Sequence, residues 1–126
     1  QALVDTLASL KQPPPVLVSG SAIGFYGPKQ DQELIETSSF MPSFSHKLCQ
    51  AWENEANRAK QLGIRVVNLR TGIVLSKTGG ALEKMRLPFR LGLGGRIGNG
   101  LQWMSWIHLE DIVRIIQFCI EKSLEG

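Results

Sequence analysis

The sequence predicts an α/β protein built around a parallel sheet. Two short apolar runs rich in β-branched residues, at 16–19 and 64–69, have the composition of buried strands. Apolar residues at helical spacing precede the first run and separate it from the second. The order helix, strand, loop, helix, strand is typical of parallel strands that are joined by helices.

The first elements are bounded by proline and glycine. Apolar positions at helical spacing predict a helix within residues 2–11, and the three prolines at 13–15 prevent it from continuing. The strand expected at 16–20 then ends at Gly20 and is followed by a polar loop. Ligands of open α/β sheets bind at such carboxyl ends of strands.

The clearest helix is predicted over residues 47–62. Ser45 is suited to cap its start, and Gly63 is suited to end it. The 3.6-residue period of the apolar positions places Trp52 toward the sheet. The strand at 64–69 follows directly.

The second half of the chain is rich in glycine. A short helix is expected at 81–91, within a glycine-rich segment of the kind that often carries function. A last helix is expected from Leu109 to about Ser123, with Glu110 and Asp111 in its first turn. Its apolar residues extend around most of its circumference, which predicts burial on two sides.

Composition restricts the class of protein. A chain of 126 residues with 43% hydrophobic content can form one domain with a substantial core. No apolar run reaches the roughly 20 residues needed to span a bilayer, and the first residues do not form an export signal, so no membrane association is expected. Cys49 and Cys119 lie in apolar helical patterns and are expected to be buried, reduced thiols, which favours the cytoplasm. Without a CxxC pair, no metal site is expected.

The net charge of +3 does not indicate nucleic-acid binding, because basic and acidic residues are interleaved along most of the chain. The exception is a basic group formed by Lys84, Arg86, Arg90 and Arg96. This group is either a solvated face or a contact for an anionic substrate or cofactor phosphate.

Three stretches in fixed order resemble the extended short-chain dehydrogenase/reductase superfamily of NAD(P)-dependent epimerases and dehydratases. They are residues 18–27 (VSGSAIGFYG), 65–75 (RVVNLRTGIVL) and 98–112 (GNGLQWMSWIHLEDI). Residues 51–53 (AWE), 79–82 (GGAL) and 87–95 (LPFRLGLGG) are similar to the YfcH-like branch of the epimerase family.

The resemblance implies a Rossmann-type sheet. Residues 1–126 would then form the C-terminal half of an NAD(P)-binding domain and the start of a substrate lobe, with 77–108 as the substrate-lobe loop and hairpin region. The family's amino-terminal dinucleotide fingerprint is not among these residues, so we expect the sequence to be part of a longer protein.

Catalysis in this superfamily normally uses a tyrosine and a lysine four residues apart on one helix. Alignment on Trp52 and Glu53 places these positions at Ser45 and Cys49, so the usual acid/base pair is absent. The resemblance makes Ser21 the substrate-orienting serine, against a plain turn-capping role. Tyr26 is the only tyrosine of the chain and therefore the only phenol that can replace the acid, against a packing role.

The resemblance also assigns binding residues. NADP or NAD is expected to contact the ends of the two strands, at Ser19, Arg70, Thr71, Gly72, Ile73 and Val74. The substrate-binding residues are expected at Arg96, Asn99, Gln102 and His108, and Trp103 and Trp106 either wall the cleft or belong to the core. His108 is otherwise a residue that bridges backbone groups.

Two functions remain open at this point. The first is an NAD(P)-dependent oxidoreductase or epimerase with an altered acid/base group, acting on a sugar-like or anionic small molecule. The second is a non-catalytic NAD(P)-binding protein that senses redox state or binds a partner; a homodimer is compatible with either. A nucleic-acid-binding loop would instead require a strongly salt-dependent affinity.

Overall fold

A computed structural model describes residues 2–96 and 98–123. The elements of its first half are α1 (Ala2–Ala8), β1 (Val16–Ala22), α2 (Phe44–Asn57) and β2 (Arg65–Thr71), with single-turn 3-10 helices at Ile23–Phe25 after β1 and at Arg58–Leu62 after α2. Those of the second half are β3 (Ile73–Ser76), α3 (Gly80–Arg90), β4 (Trp106–His108) and α4 (Leu109–Glu121).

The predicted parallel arrangement is confirmed. β1 and β2 pair in parallel, in a register that runs from Val16 opposite Arg65 to Ala22 opposite Thr71. α2 lies between them in the chain and packs on both strands. Because the strands are parallel, their carboxyl ends meet at the same edge of the sheet, which is where the polar residues of interest lie.

β3 and β4 form a second parallel pair, with Ile73 opposite Trp106. The backbone N–H of Ile73 donates to the carbonyl of Ser105 over 2.9 Å. Gly72 lies so close to Ser105 that an added Cβ would be 2.4 Å from that carbonyl oxygen. The absence of a side chain at Gly72 therefore lets β2 pass directly into β3 beside the segment that leads to β4.

The main apolar core lies between the helices and the first sheet. Val4 and Leu7 of α1 pack there against Ala56, near the end of α2, and Ala59, just after it. Ile64 and Val66 complete the cluster. Val66 is fully buried. The small side chains of Ala56 and Ala59 allow the helical segment to lie close to the strand.

The orientation predicted for α2 is wrong. Trp52 is 49% exposed, and the face turned to the protein is formed by residues that repeat at helical spacing, His46, Cys49, Glu53 and Ala56. Ser43, not Ser45, caps the helix, because its hydroxyl accepts the backbone N–H of His46. Gly63 ends the helical segment in the left-handed conformation, as predicted.

The prediction that α4 is buried on two sides is also wrong. Ile112 and Cys119, two turns apart, form its buried stripe, while Val113, Phe118 and Ile120 are exposed. The stripe packs toward β1, β3 and β4. Arg65 of β2 donates to the carbonyls of Cys119 and Ile120 and so satisfies the C-terminal end of the helix. Both cysteines are buried free thiols, as expected.

Within the ranges 2–96 and 98–123, every helix is too short or too polar to cross a bilayer.

Candidate functional site

A cleft of about 1650 Å³ opens at the carboxyl ends of β1 and β2. One wall is the loop that follows β1, the floor is the end of β2, and the other wall is the segment before β4 together with Ile112 and Ile115 of α4. The polar and aromatic lining includes Tyr26, Lys29, Asp31, Glu33, Glu36, Arg70, Thr71, Asn99, Gln102, Trp103 and Trp106.

The loop at 27–41 is fastened at its base. The backbone N–H of Met41 donates to the carbonyl of Tyr26 over 2.8 Å. Gly27 adopts a positive φ of 71°, and an added Cβ there would be 2.6 Å from the Met41 carbonyl oxygen. Glycine at 27 therefore permits the two ends of the loop to meet. Across the cleft, the indole N–H of Trp103 donates to Asp31 over 2.6 Å and joins the two walls.

A buried carboxylate, Glu53, organises the side chains beside the cleft. Its Oε1 accepts the Ser21 hydroxyl at 2.7 Å and the Arg70 Nε–H at 2.8 Å, while its Oε2 accepts an Nη2–H of Arg70 at 2.9 Å. Burial raises the pKa of the Glu53 carboxyl, but the hydrogen bonds from Arg70 and Ser21 and the charge of Arg70 outweigh burial, so the net pKa is lowered. Glu53 is therefore an anion at neutral pH.

Arg70 connects that carboxylate to the cleft. Its remaining terminal nitrogen, Nη1, donates to the Tyr26 phenol oxygen at 3.1 Å and to the Glu36 carbonyl at 3.2 Å. The guanidinium carbon lies 3.4 Å from the centroid of the Phe25 ring. The hydrogen bonds to Glu53 make the largest contribution to the pKa of Arg70 and raise it. Burial lowers this pKa and the hydrogen bond to Tyr26 raises it, so the net pKa is raised. The guanidinium is thus held on three sides.

The two residues predicted to be catalytic lie at opposite ends of this network. Tyr26 is 7% exposed and lines the cleft. Ser21 is buried, lies outside the cleft lining and donates its hydroxyl proton to Glu53.

The predicted cofactor residues divide in the same way. Arg70, Thr71 and Gly72 line the cleft, and the Thr71 hydroxyl donates to the Ser21 carbonyl at 3.4 Å. Ser19 lies within β1, opposite Asn68, while Ile73 and Val74 belong to β3 and lie outside the lining.

Of the predicted substrate residues, Asn99 and Gln102 line the cleft, and so do Trp103 and Trp106. The Asn99 side chain accepts the backbone N–H of Leu101 at 3.0 Å. Arg96 is exposed and lies outside the lining. His108 caps α4, because its Nδ1 accepts the Glu110 N–H at 3.3 Å, which is the backbone-bridging role.

Ser45 and Cys49, the positions aligned with the usual tyrosine and lysine, lie against the turn that follows β1. An added Cβ on Gly24 would be 3.0 Å from the Ser45 Cβ and 3.8 Å from the Cys49 sulfur. Both thus lie next to the turn that leads to Tyr26.

Sequence reasoning missed Glu53 as a site residue. The signal was present, because Glu53 follows Cys49 by four residues and precedes Ala56 by three, which places a charge within an apolar helical stripe. A carboxylate on a buried face requires a cationic partner, and Arg70 at the end of the next strand supplies it.

The family model described as NAD dependent epimerase/dehydratase family matches residues 2–126. The chain is 49% identical to an epimerase family protein of Mycobacterium bovis over 111 residues, which are 87% of this chain and 37% of that protein. It thus spans well under half the length of that relative.

Two solved structures are similar over almost the whole chain. The human epimerase family protein SDR39U1 (isoform 2), solved with NADPH, has a TM-score of 0.86 and 36% identity over 98% of this chain and 42% of its own. A nucleoside-diphosphate sugar epimerase of Corynebacterium glutamicum has a TM-score of 0.88 and 34% identity over 99% of this chain and 27% of its own. The parallel sheet, the cleft at its carboxyl edge and these similarities agree: the chain belongs to the NAD-dependent epimerase/dehydratase family.

Proposed function

We propose that this chain forms the nicotinamide side and the substrate cleft of an NAD(P)-dependent oxidoreductase or epimerase. The observation that carries the proposal is the position of Tyr26, a buried phenol whose edge lines a large cleft at the carboxyl ends of two parallel strands. Residues 1–126 act in this proposal as part of an NAD(P)-binding domain, and 77–108 contribute the substrate side.

The volume of the cleft fits the nicotinamide part of a dinucleotide cofactor. Its volume of about 1650 Å³ exceeds the roughly 300–1,000 Å³ of ordinary ligand pockets, so it has room for a nicotinamide together with a substrate. Thr71 and Gly72 are the residues of this chain that would hold the nicotinamide, because they line the cleft at the end of β2. The human relative was solved with NADPH, which supports NADP, with NAD as the alternative.

Tyr26 is the group of this chain that transfers the proton. The nicotinamide, when bound, supplies or accepts the hydride. During reduction Tyr26 gives its phenolic proton to the substrate oxygen and regains one from water. During oxidation the phenol first releases its proton to water, and the resulting phenolate takes the proton of the substrate hydroxyl. Because Arg70 donates to the phenol oxygen, the O–H of Tyr26 is available to another acceptor.

The lining favours an uncharged, polyhydroxylated group of the substrate, such as a sugar ring, over an anionic group at these residues. Asp31, Glu33 and Glu36 line the cleft, whereas the cations of its described lining are Lys29 and Arg70. Glu53 pairs with Arg70 and thereby weakens the attraction of Arg70 for an anionic ligand. Carboxylates and the amides of the opposite wall accept and donate hydrogen bonds to hydroxyl groups, and indole faces suit the apolar faces of sugar rings. The Corynebacterium relative is described as a nucleoside-diphosphate sugar epimerase, which supports a sugar.

The proposal is tested with Tyr26→Phe in the protein that carries this sequence. We expect NADPH to raise the melting temperature of wild type and variant alike, since a ligand that binds only the native state stabilises it. NADPH oxidation with a panel of neutral sugars, nucleoside-diphosphate sugars and the reactive dicarbonyl phenanthrenequinone should fall by about 100-fold in the variant, the usual contribution of a general acid.

Phe44→Leu is the matched control, because it alters an exposed aromatic side chain that lies outside the cleft lining. An unchanged rate of NADPH oxidation in Tyr26→Phe would show that Tyr26 is a packing residue and not the proton donor. Binding of NADPH without turnover of any probe would favour a non-catalytic NAD(P)-binding protein, the function that Ser45 and Cys49 at the usual acid/base positions keep open.

A further inference from the structure

The ion pair between Glu53 and Arg70 joins α2 to β2, and Arg70 makes further hydrogen bonds beyond this pair. Two of the guanidinium nitrogens, Nε and Nη2, bind the carboxylate, at 2.8 and 2.9 Å. The third, Nη1, is directed away from Glu53 and reaches Tyr26 and the Glu36 carbonyl. The bidentate geometry fixes the plane of the guanidinium, and the Phe25 ring supports one face of that plane.

We infer that the pair formed by Glu53 and Arg70 is a positioning device that holds Tyr26 and directs its hydroxyl proton toward the cleft. The inference rests on the proposed function of Tyr26 as the catalytic acid. In this arrangement Arg70 occupies one acceptor site of the phenol oxygen. The phenol is then left to donate to a ligand.

The pair also places a positive charge where the reaction needs one. When Tyr26 has given its proton to a substrate oxygen, the negative charge remains on the phenol oxygen, 3.1 Å from Nη1 of Arg70. A fixed cation at this distance stabilises that charge without rearrangement. Lysine has this task in the usual tyrosine–lysine pair, but the aligned position here is Cys49, which has no positive charge.

Arg70 needs Glu53 to keep this position. A guanidinium that is only partly exposed and has lost its carboxylate would turn toward water or other acceptors, because an unpaired buried charge is costly. Ser21 completes the arrangement from the far side by donating to the same carboxylate oxygen as Arg70 Nε. Glu53 and Ser21 thus act on the reaction through Arg70, without contacting the cleft.

The experiment compares Glu53→Gln and Arg70→Lys with Glu55→Gln, a matched control on the same helix whose carboxylate pairs with Arg58 instead. Tyr26 is the only tyrosine of these 126 residues. With isotope-labelled tyrosine, the NMR signal of its hydroxyl-bearing ring carbon, identified by its loss in Tyr26→Phe, reports hydrogen bonding at the phenol oxygen. NADPH affinity and NADPH-dependent reduction of phenanthrenequinone are measured in parallel.

We expect the Tyr26 signal to shift in Glu53→Gln and Arg70→Lys and to stay unchanged in Glu55→Gln. The turnover number should fall by about 10–100-fold in the first two variants, while the KM and the NADPH affinity change by less than about three-fold. Arg70→Lys keeps a positive charge, so it remains informative if Glu53→Gln does not fold.

An unchanged Tyr26 signal in both variants would overturn the inference. A shifted signal with normal turnover would overturn it as well, because the pair would then be only structural. Failure of the wild-type protein to bind NADPH would contradict the proposed function instead, and the signal would still decide whether the pair holds the phenol.

Discussion

The hydroxyl of Ser21 belongs to the hydrogen-bond network beside the cleft, although Ser21 lies outside the cleft lining. The family resemblance makes it a substrate-orienting hydroxyl, whereas its proton is donated to the buried carboxylate of Glu53 at 2.7 Å. A hydrogen bond to a charged group contributes more to stability than one between neutral groups. Its structural contribution should therefore be measurable without any substrate.

We predict that Ser21→Ala lowers the free energy of unfolding by about 1.5–3 kcal/mol, the range for hydrogen bonds to charged groups. Chemical denaturation of the wild type, Ser21→Ala and the control Ser39→Ala measures this loss. Ser39→Ala removes an exposed hydroxyl that accepts from Lys29, so it should cost less than about 0.5 kcal/mol. A Ser21→Ala protein of normal stability that had lost turnover would support the substrate role and contradict the structural one.

The parts of the site that could be predicted from sequence are those fixed by position along a strand. Thr71 and Gly72 follow an apolar strand directly, so their place at the sheet edge was predictable. The hydrogen-bond link from Glu53 through Arg70 to Tyr26 was not predicted, because it depends on which face of α2 packs against the sheet. A phase error of one residue replaces Glu53 with Trp52.

At the scale of elements, α2 shows why that error arose. Apolar residues occur on two adjacent faces of the helix, and size alone favours Trp52 as the buried one. The structure buries Cys49, Ala56 and Glu53 instead, because small side chains permit close approach to the strands and Arg70 neutralises the carboxylate. A tryptophan on that face would hold helix and sheet apart.

A Trp52 side chain packed against the sheet, as the apolar period predicted, would make Trp52→Ala cost about 3–5 kcal/mol. Its exposure leads to the opposite prediction. A side chain that is 49% exposed leaves little cavity when removed, so Trp52→Ala should cost about 1 kcal/mol or less. Val66→Ala, at a fully buried site, should cost about 2 kcal/mol in the same denaturation series. A larger loss for Trp52 than for Val66 would restore the original orientation.

For the molecule as a whole, the order of α1, β1, α2 and β2 was predictable because proline, glycine and the apolar period delimit these elements locally, whereas the strands β3 and β4 were not predicted. The positions of α4 and of the glycine-rich segment depend on neighbours distant in the chain. α4 carries apolar residues on most sides, yet within the part of the chain that the structure describes only one stripe of it is buried.

The response of the whole fold to acid follows from Glu53. Its pKa is lower in the folded protein than in the unfolded chain, so its stabilising effect is complete above the unfolded value and is lost as the pH falls through the folded one. We predict that Glu53→Gln lowers the free energy of unfolding at neutral pH by about 3–5 kcal/mol, the cost of breaking a buried pair. Denaturation from neutral to acidic pH should show the difference from wild type narrowing as the pH falls. A difference in the free energy of unfolding that stayed the same at all pH values would contradict a lowered pKa of Glu53 in the folded protein.

The hydrogen bond between the Met41 N–H and the Tyr26 carbonyl closes the base of the loop at 27–41. The length of this loop can therefore change without a change in the rest of the fold. Its two ends are joined by one hydrogen bond and by the close contact at Gly27. Residues added away from Asp31 and Glu36, which contact Trp103 and Arg70, therefore need not displace Tyr26 or α2. A flexible loop that doubles in length costs only about 0.6 kcal/mol. This segment, which forms one wall of the cleft, can therefore accept insertions at little cost in stability while Tyr26 keeps its position.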